Sequence, residues 1–247
     1  MVDEKVVLSR VNKIRESVRR YTGRVRRRAV FLPAYVFASA LLAGPAVPLL
    51  ARPVQGRAPG ASFEVVPGER FGPIRETTTR SALAAAFPSV TIRDMPIEIG
   101  EGFCTDGTRL FPGTADEIDV AWQNTERSRV AFVRTTTPGG RWATPRGVRL
   151  GTLLSELERL SGAFLTFSGF GWDYGGGTSW SEPTGSIGLR LDFDSADREK
   201  ASLASNSRDI FGDTPVRSDH PLIRTLRIRV DEMTLSWGPH FNEKDCR

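Results

Sequence analysis

The sequence has few of the residues that enzymes use for nucleophilic or metal chemistry, since it contains only two cysteines and two histidines. Two cysteines far apart in the chain are too few soft ligands for a structural metal site. The glycine motifs that bind phosphates or dinucleotides are absent, and no Gly-x-Ser-x-Gly elbow presents a serine nucleophile. The sequence therefore predicts no metal and no cofactor, and it favours a non-catalytic protein.

The folded part of the chain also has no excess of positive charge, although the whole sequence carries a formal net charge of +5. Residues 1–51 contain ten basic and three acidic residues, and the rest of the chain contains 24 basic and 26 acidic residues. A slightly acidic domain offers no electrostatic surface for a phosphate backbone. We therefore exclude nucleic acid as a partner.

The N-terminal region has the pattern of an export signal. Residues 29–51 form a run of 23 residues without a charge, directly after Arg26, Arg27 and Arg28. A basic flank before such a run is typical of a signal peptide, and the run is also long enough to span a bilayer as a helix. In both cases residues 1–28 stay in the cytoplasm and the rest of the chain is translocated. We expect a periplasmic or extracellular protein, either cleaved near Ala51 or held at the inner membrane by 29–51. No cysteine lies near the end of the run, which excludes a lipid-anchored N-terminus.

Beyond a Pro/Gly-rich linker at 52–68, the chain divides into two similar parts, 69–142 and 143–247. Each begins with a short extended segment, a threonine in N-cap position and a short helix with one apolar face. Thr78 opens the first helix, which Pro88 ends, and Thr152 opens the second, which Gly162 ends. Strand-like runs follow each helix. The sequence thus predicts an α+β fold of two similar helix-then-antiparallel-sheet units, a tandem repeat.

The strands are predicted from short apolar or alternating runs. The last run alternates Leu226, Ile228 and Val230, and after a break at Asp231 and Glu232 it resumes the alternation, which indicates a bulge or a change of register. The predicted strands are 89–93, 97–100, 109–111, 118–122, 130–134, 164–167, 187–193 and 225–237.

Cys104 and Cys246 are an even number of cysteines in a chain that we expect outside the cytoplasm, which makes one disulfide a prediction. Such a bond would join the last residues of the chain to the loop 102–107. The alternative is two unrelated thiols, because sequence alone does not place the two residues within bonding distance.

Several motifs together resemble a group of exported bacterial proteins, many of them lipoproteins, to which no activity is assigned. The motifs are FGPI at 71–74, GEG at 100–102, FP at 111–112, VAW at 120–122, RWATP at 141–145, GVRLGT at 147–152 and GFGWDYGG at 169–176, the last being the most specific. The resemblance implies a periplasmic or cell-surface location and brings no activity, cofactor or catalytic residue. More loosely, the tandem helix-and-sheet plan looks like small exported binding domains such as β-lactamase inhibitor proteins.

The segment 167–180 (FSGFGWDYGGGTSW) is the candidate binding site. Glycines let the backbone adopt unusual conformations, and aromatic rings on such a loop can bind a sugar or a peptide. In the alternative interpretation, the rings fill the core and the carboxylate of Asp173 caps a turn. The candidate ligand-binding residues are Phe170, Trp172, Asp173, Tyr174 and Trp180.

Three other groups of residues resemble parts of metal-binding or catalytic sites. Asp192 and Asp194 resemble the opening of a calcium loop, but the later ligands are missing. Ser218, Asp219 and His220 are adjacent, so their side chains diverge and do not form a triad. Asp173 and Glu182 could form the carboxylate pair of a hydrolase.

The sequence therefore predicts an extracytoplasmic, non-catalytic domain that binds a protein or another envelope ligand. The alternative is a carboxylate-dependent hydrolase that acts on cell-envelope or sugar polymers. In that alternative, Asp173 and Glu182 would line one cleft.

Overall fold

The structure is a computed structural model, and it describes residues 62–240 and 242–246. The predicted segments 1–28 and 29–51, and most of the linker 52–68, lie outside the described residues. In the part of the chain that is described, no helix is both long enough and apolar enough to cross a membrane.

Fifteen strands and α-helices follow one another along the described chain, and most of the strands pair in an antiparallel sense. They are β1 (Val65–Val66), β2 (Arg70–Phe71), α1 (Arg80–Ala86), β3 (Ile92–Gly100), β4 (Phe103–Leu110), β5 (Ile118–Trp122), β6 (Val130–Thr135), α2 (Leu154–Ser161), β7 (Thr166–Ser168), β8 (Gly177–Glu182), β9 (Gly185–Asp192), α3 (Ser195–Leu203), β10 (Pro215–Arg217), β11 (Arg229–Ser236) and β12 (Lys244–Asp245). The predicted α+β class with antiparallel sheet is confirmed.

One antiparallel sheet organises the fold, with the strand order β3-β4-β5-β6-β11-β9-β8. The short strand β12 pairs with β4 on the edge that β5 also uses. The pairing of β6 with β11 brings strands from the two predicted units into one sheet. Whether the two units are repeats of each other stays a prediction.

Two of the helix boundaries follow the local signals that the sequence shows. The first helix ends at Ala86, just before Phe87 and Pro88, as expected from the missing N–H of proline. The second ends at Gly162, which has φ 71° and donates its N–H to the carbonyl of Glu158 over 2.8 Å.

The predicted N-caps are wrong, because each threonine hydroxyl has another partner. Thr79 caps α1 and accepts from the N–H of Ala82, whereas Thr78 accepts from the N–H of Arg75. Thr152 accepts from the N–H of Arg149, one turn before α2, and α2 has no side-chain cap. In both places the hydroxyl closes a turn ahead of the helix.

The strand predictions hold best where a strand is buried. The prediction for β5 is correct to the residue, and the register of β11 shifts between Val230 and Glu232, which confirms the predicted irregularity. The two predicted strands 89–93 and 97–100 fall on one strand, β3, which begins only at Ile92 and continues through Pro96. Because β3 is an edge strand, Pro96 need not donate to a neighbour on the outer side.

The helix α3 was not predicted, and it begins directly after the two carboxylates that resemble a calcium loop. Asp194 is the N-cap and accepts from the N–H of Asp197 over 2.9 Å. Asp192 accepts two hydrogen bonds from Arg198. The described residues contain no group of three or more His, Cys, Asp or Glu side chains that could hold a metal ion.

The sheet has two different faces. One face packs on the main hydrophobic core, in which Val120, Trp122 and Val133 are buried with the helices. On the opposite face Ile97 of the β3–β4 hairpin packs on Ala121 of β5 in a second, smaller apolar cluster. The tip of this hairpin helps to build the site described below.

Candidate functional site

The segment 169–176, here called the aromatic loop, is held in place by backbone hydrogen bonds. The N–H of Phe170 donates to the carbonyl of Ile210, and the N–H of Gly176 donates to the carbonyl of Ser168, each within 2.9 Å. The indole N–H of Trp172 donates to the carbonyl of Gly169 over 2.8 Å. The loop is therefore ordered before any ligand binds, which lowers the entropic cost of binding.

Two of the five predicted binding residues belong to the core. Phe170 is 2% exposed, and its ring lies 5.5 Å from that of Phe167 and 4.5 Å from that of Phe193. Trp180 is 3% exposed and donates its indole N–H to Glu182. Both side chains therefore contribute mainly to the hydrophobic core, although Phe170 also lines the larger of the clefts described below.

The other two rings are exposed. Trp172 is 36% exposed and Tyr174 is 54% exposed, and their rings meet edge to face with centroids 5.2 Å apart. Large exposed aromatic side chains on an ordered loop are typical of binding surfaces. Asp173 lies between them in the sequence.

The carboxylate of Asp173 joins the aromatic loop to the tip of the β3–β4 hairpin. Its Oδ2 accepts a hydrogen bond from the backbone N–H of Glu101 over 2.8 Å, and we call this contact the Asp173 bridge. Glu101 has φ 52°, in the left-handed region, and is flanked by Gly100 and Gly102. Glu101 and Gly102 form the two-residue loop of the hairpin, and the favoured turns of such loops require a positive φ.

Two clefts meet at this bridge. The larger has a volume of about 700 Å³ and is lined by Trp172 and Asp173, and the smaller has about 370 Å³ and is lined by Asp173 and Tyr174. Both clefts also share Gly100 of the hairpin tip and the side chains of Arg134, Arg190 and Glu232 on the sheet. A ligand at the bridge could thus contact one aromatic ring on each side.

The sheet beneath the clefts carries charged side chains that pair with residues of opposite charge. We call the following residues the charged floor: Arg109, Asp119, Arg134, Arg190, Asp192 and Glu232. Asp119 is buried and accepts two hydrogen bonds from Arg109, at 2.8 and 3.1 Å. Arg134 approaches the same carboxylate at 3.6 Å, and Arg190 pairs with Glu232 at 3.6 Å. Hydrogen bonding to Asp119 raises the pKa of Arg109, because it stabilises the protonated guanidinium.

Sequence reasoning did not find this charged floor, although a signal exists. Arg109, Asp119 and Arg134 are each charged residues inside otherwise buried strands, and in the sheet register Asp119 lies directly between the other two. Charged residues at such positions mark a face that is covered by something other than apolar core.

The predicted disulfide is present and supports the hairpin tip. The Cα atoms of Cys104 and Cys246 are 5.0 Å apart, and the N–H of Cys246 donates to the carbonyl of Gly102. Asp106 accepts from the side chains of Lys244 and Asn242, so the segment 242–246 is fixed to β4 by charge as well. The segment thus stabilises the strand that carries the Asp173 bridge. A disulfide is consistent with an oxidising, extracytoplasmic location.

The structure does not bring the proposed hydrolase pair together. Glu182 lies at the hairpin end of β8, opposite the end that adjoins the aromatic loop, and accepts from the indole of Trp180. It lines neither of the two clefts that Asp173 lines.

Ser218, Asp219 and His220 each have separate partners, in agreement with the expectation that they form no triad. The Ser218 hydroxyl accepts from the N–H of Leu165, and Asp219 pairs with Arg217. His220 has its own neighbours, the N–H of Leu222 and a carboxylate oxygen of Asp209 at 3.5 Å.

No protein-family model, curated protein or solved structure matches the chain. The function is therefore argued from the site itself.

Proposed function

We propose that the protein is exported and that its folded domain binds, without catalysis, a protein or another ligand of the cell envelope through Trp172, Asp173 and Tyr174. The observation that carries the proposal is the pair of exposed rings on a loop held by backbone hydrogen bonds, at the junction of two clefts. Aromatic anchors with few rotatable bonds contribute much of the affinity in known interfaces.

The site has the features of a binding surface rather than of a hydrolytic centre. The carboxylates of the floor are paired with arginines, and Asp173 accepts a backbone hydrogen bond. A hydrolase of this kind needs two carboxyl groups that face each other across one cleft, and Glu182 lines neither of the two clefts that Asp173 lines. Binding is therefore the better supported of the two functions.

The location is proposed from the segment 29–51 and from the disulfide. An uncharged run behind a basic flank directs the following chain out of the cytoplasm, and a disulfide such as Cys104–Cys246 is typical of oxidising compartments. The resemblance to exported bacterial proteins that share the GFGWDYGG motif agrees with this proposal.

Cell fractionation tests the location. We expect the folded domain in the periplasmic, extracellular or inner-membrane fraction with its disulfide formed, and N-terminal sequencing will show whether 29–51 has been removed. Recovery of the intact chain from the cytosol, with Met1 in place and both thiols reduced, would contradict the proposal.

Alanine substitution tests the binding surface. We expect Trp172→Ala and Tyr174→Ala each to weaken retention of envelope components by at least about tenfold, since each removes an aromatic anchor. The melting temperature of Tyr174→Ala should stay within about 3 °C of the wild type, because that ring is largely exposed. Trp172→Ala also removes the hydrogen bond to the carbonyl of Gly169, so its melting temperature should fall further, by up to about 6 °C, without loss of folding. The measurement is binding of solubilised envelope proteins and of sedimented wall polymer to the immobilised domain.

Phe164→Ala is the matched control, since Phe164 is also 54% exposed but lines a different cleft, beside Arg217. It should leave binding unchanged. If Trp172→Ala and Tyr174→Ala instead unfold the domain, or bind as well as Phe164→Ala does, the two rings are structural and the proposed site is wrong.

A further inference from the structure

Tyr174 lies beside three carboxylates. Asp173 precedes it in the aromatic loop and accepts the backbone N–H of Glu101 at the hairpin tip. Glu243 lies in the segment 242–246, which is hydrogen-bonded to the same tip. Burial raises the pKa of the Tyr174 phenol, and the three carboxylates raise it further because they repel the phenolate. We call Trp172, Tyr174 and these three carboxylates the acidic aromatic corner.

None of the three carboxylates pairs with a lysine or arginine in the described part of the chain. In the described residues, Glu101 and Asp173 form no ion pair, and Glu243 has only His240, at 3.4 Å. The floor differs, because Asp119, Asp192 and Glu232 are each paired with an arginine. The negative charge of the corner is therefore available to a ligand, whereas that of the floor is not.

The aromatic rings add a second reason to expect a cation. The edge-to-face contact at 69° leaves ring surface of both Trp172 and Tyr174 exposed. An aromatic face attracts an ammonium or guanidinium group, and it also packs against the apolar stem that carries such a group. A hydrated metal ion would gain nothing from the rings, and a simple apolar group would gain nothing from the carboxylates.

We propose that the acidic aromatic corner binds a lysine or arginine side chain of a partner protein, with the stem on the rings and the charged head among the carboxylates. This inference rests on the proposed binding function and names the partner as a protein with an exposed basic segment. Charge complementarity selects such a segment over an acidic or neutral one.

The test uses isothermal titration of the disulfide-bonded domain with a capped alanine–lysine peptide at low salt. The comparison peptide has the same sequence with every lysine acetylated, which keeps the stem and removes the charge. We expect the lysine peptide to bind at least about tenfold more tightly than the acetylated one. Failure of the lysine peptide to bind at millimolar concentration, or equal binding of both peptides, would overturn the inference.

A charge-matched pair of double variants assigns the binding to the corner. E101Q/E243Q removes two carboxylates and leaves the Asp173 bridge intact, because that bridge uses the backbone N–H of Glu101. E126Q/E199Q makes the same change in net charge at two exposed positions on other elements. We expect the first to weaken binding of the lysine peptide about tenfold and the second less than twofold.

Two further measurements distinguish a failure of the cationic-partner inference from a failure of the proposed binding function. E101Q/E243Q should also lower the pKa of Tyr174 in a phenol titration, which shows that the substitution reaches the corner. If Trp172→Ala abolishes binding of the envelope ligand while E101Q/E243Q retains it, the proposed function stands and the cationic partner is wrong. If both variants retain it, both proposals are wrong.

Discussion

Replacing both cysteines with serine is expected to lower the free energy of unfolding by about 3–5 kcal/mol. Cys104 and Cys246 are 142 residues apart, so their bond closes a long loop and removes much conformational freedom from the unfolded chain. For a domain of this size the loss corresponds to a fall in Tm of about 10 °C. Calorimetry of the wild type and the double variant measures it.

Reduction of the wild type by a thiol serves as the control and should reproduce the Tm of the double variant. The double variant should also bind the envelope ligand more weakly, because the segment 242–246 holds the hairpin tip that carries Glu101. A Tm within about 2 °C of the wild type would show that β12 and the contacts of Asp106 hold the segment without the bond.

Gly176→Ala is the second change with a large expected effect, about 3–5 kcal/mol of lost stability or failure to fold. A Cβ at this position would lie 1.9 Å from the backbone carbonyl oxygen of Leu191. The carbonyl cannot move aside easily, since Leu191 donates its own N–H to Gly176 in the same contact. The left-handed φ of 75° adds strain for any residue with a Cβ. Chemical denaturation of the purified variant measures the loss.

Gly113→Ala distinguishes the steric overlap with Leu191 from the strain of the left-handed backbone. Gly113 has φ 74°, close to that of Gly176, but a Cβ there would meet no heavy atom within 4 Å. It should therefore cost only about 1–2 kcal/mol, the conformational part. Equal losses in the two variants would show that the contact with Leu191 yields and that backbone strain alone accounts for the effect.

The parts of the fold that the sequence predicts are those set by local chemistry. Pro88 and Gly162 end their helices as expected, and the buried strand β5 is apolar at every position except Asp119. The parts that it missed depend on distant contacts. The strand β8 starts inside the glycine-rich segment and is defined by its pairing with β9, not by an alternation of its own.

In the candidate site, too, the sequence predicts the features that depend on local residues and misses those that depend on distant contacts. Composition identifies the aromatic loop, but it does not distinguish Phe170, which is buried, from Trp172, which is exposed. Glu101 was not singled out for the site, because its role comes from a backbone N–H that the hairpin tip donates to Asp173. The charged floor depends on cross-strand register, which pairs Arg109 with Asp119 and Asp119 with Arg134.

The pairing of β6 with β11 has a consequence for how the protein is made. During synthesis β6 (Val130–Thr135) emerges long before β11 (Arg229–Ser236), its neighbour in the finished sheet. Until then an apolar strand presents a free edge, which is the kind of surface that joins other chains into aggregates. We therefore expect nascent chains that stop before residue 229 to need a chaperone to stay soluble, whereas the completed chain does not.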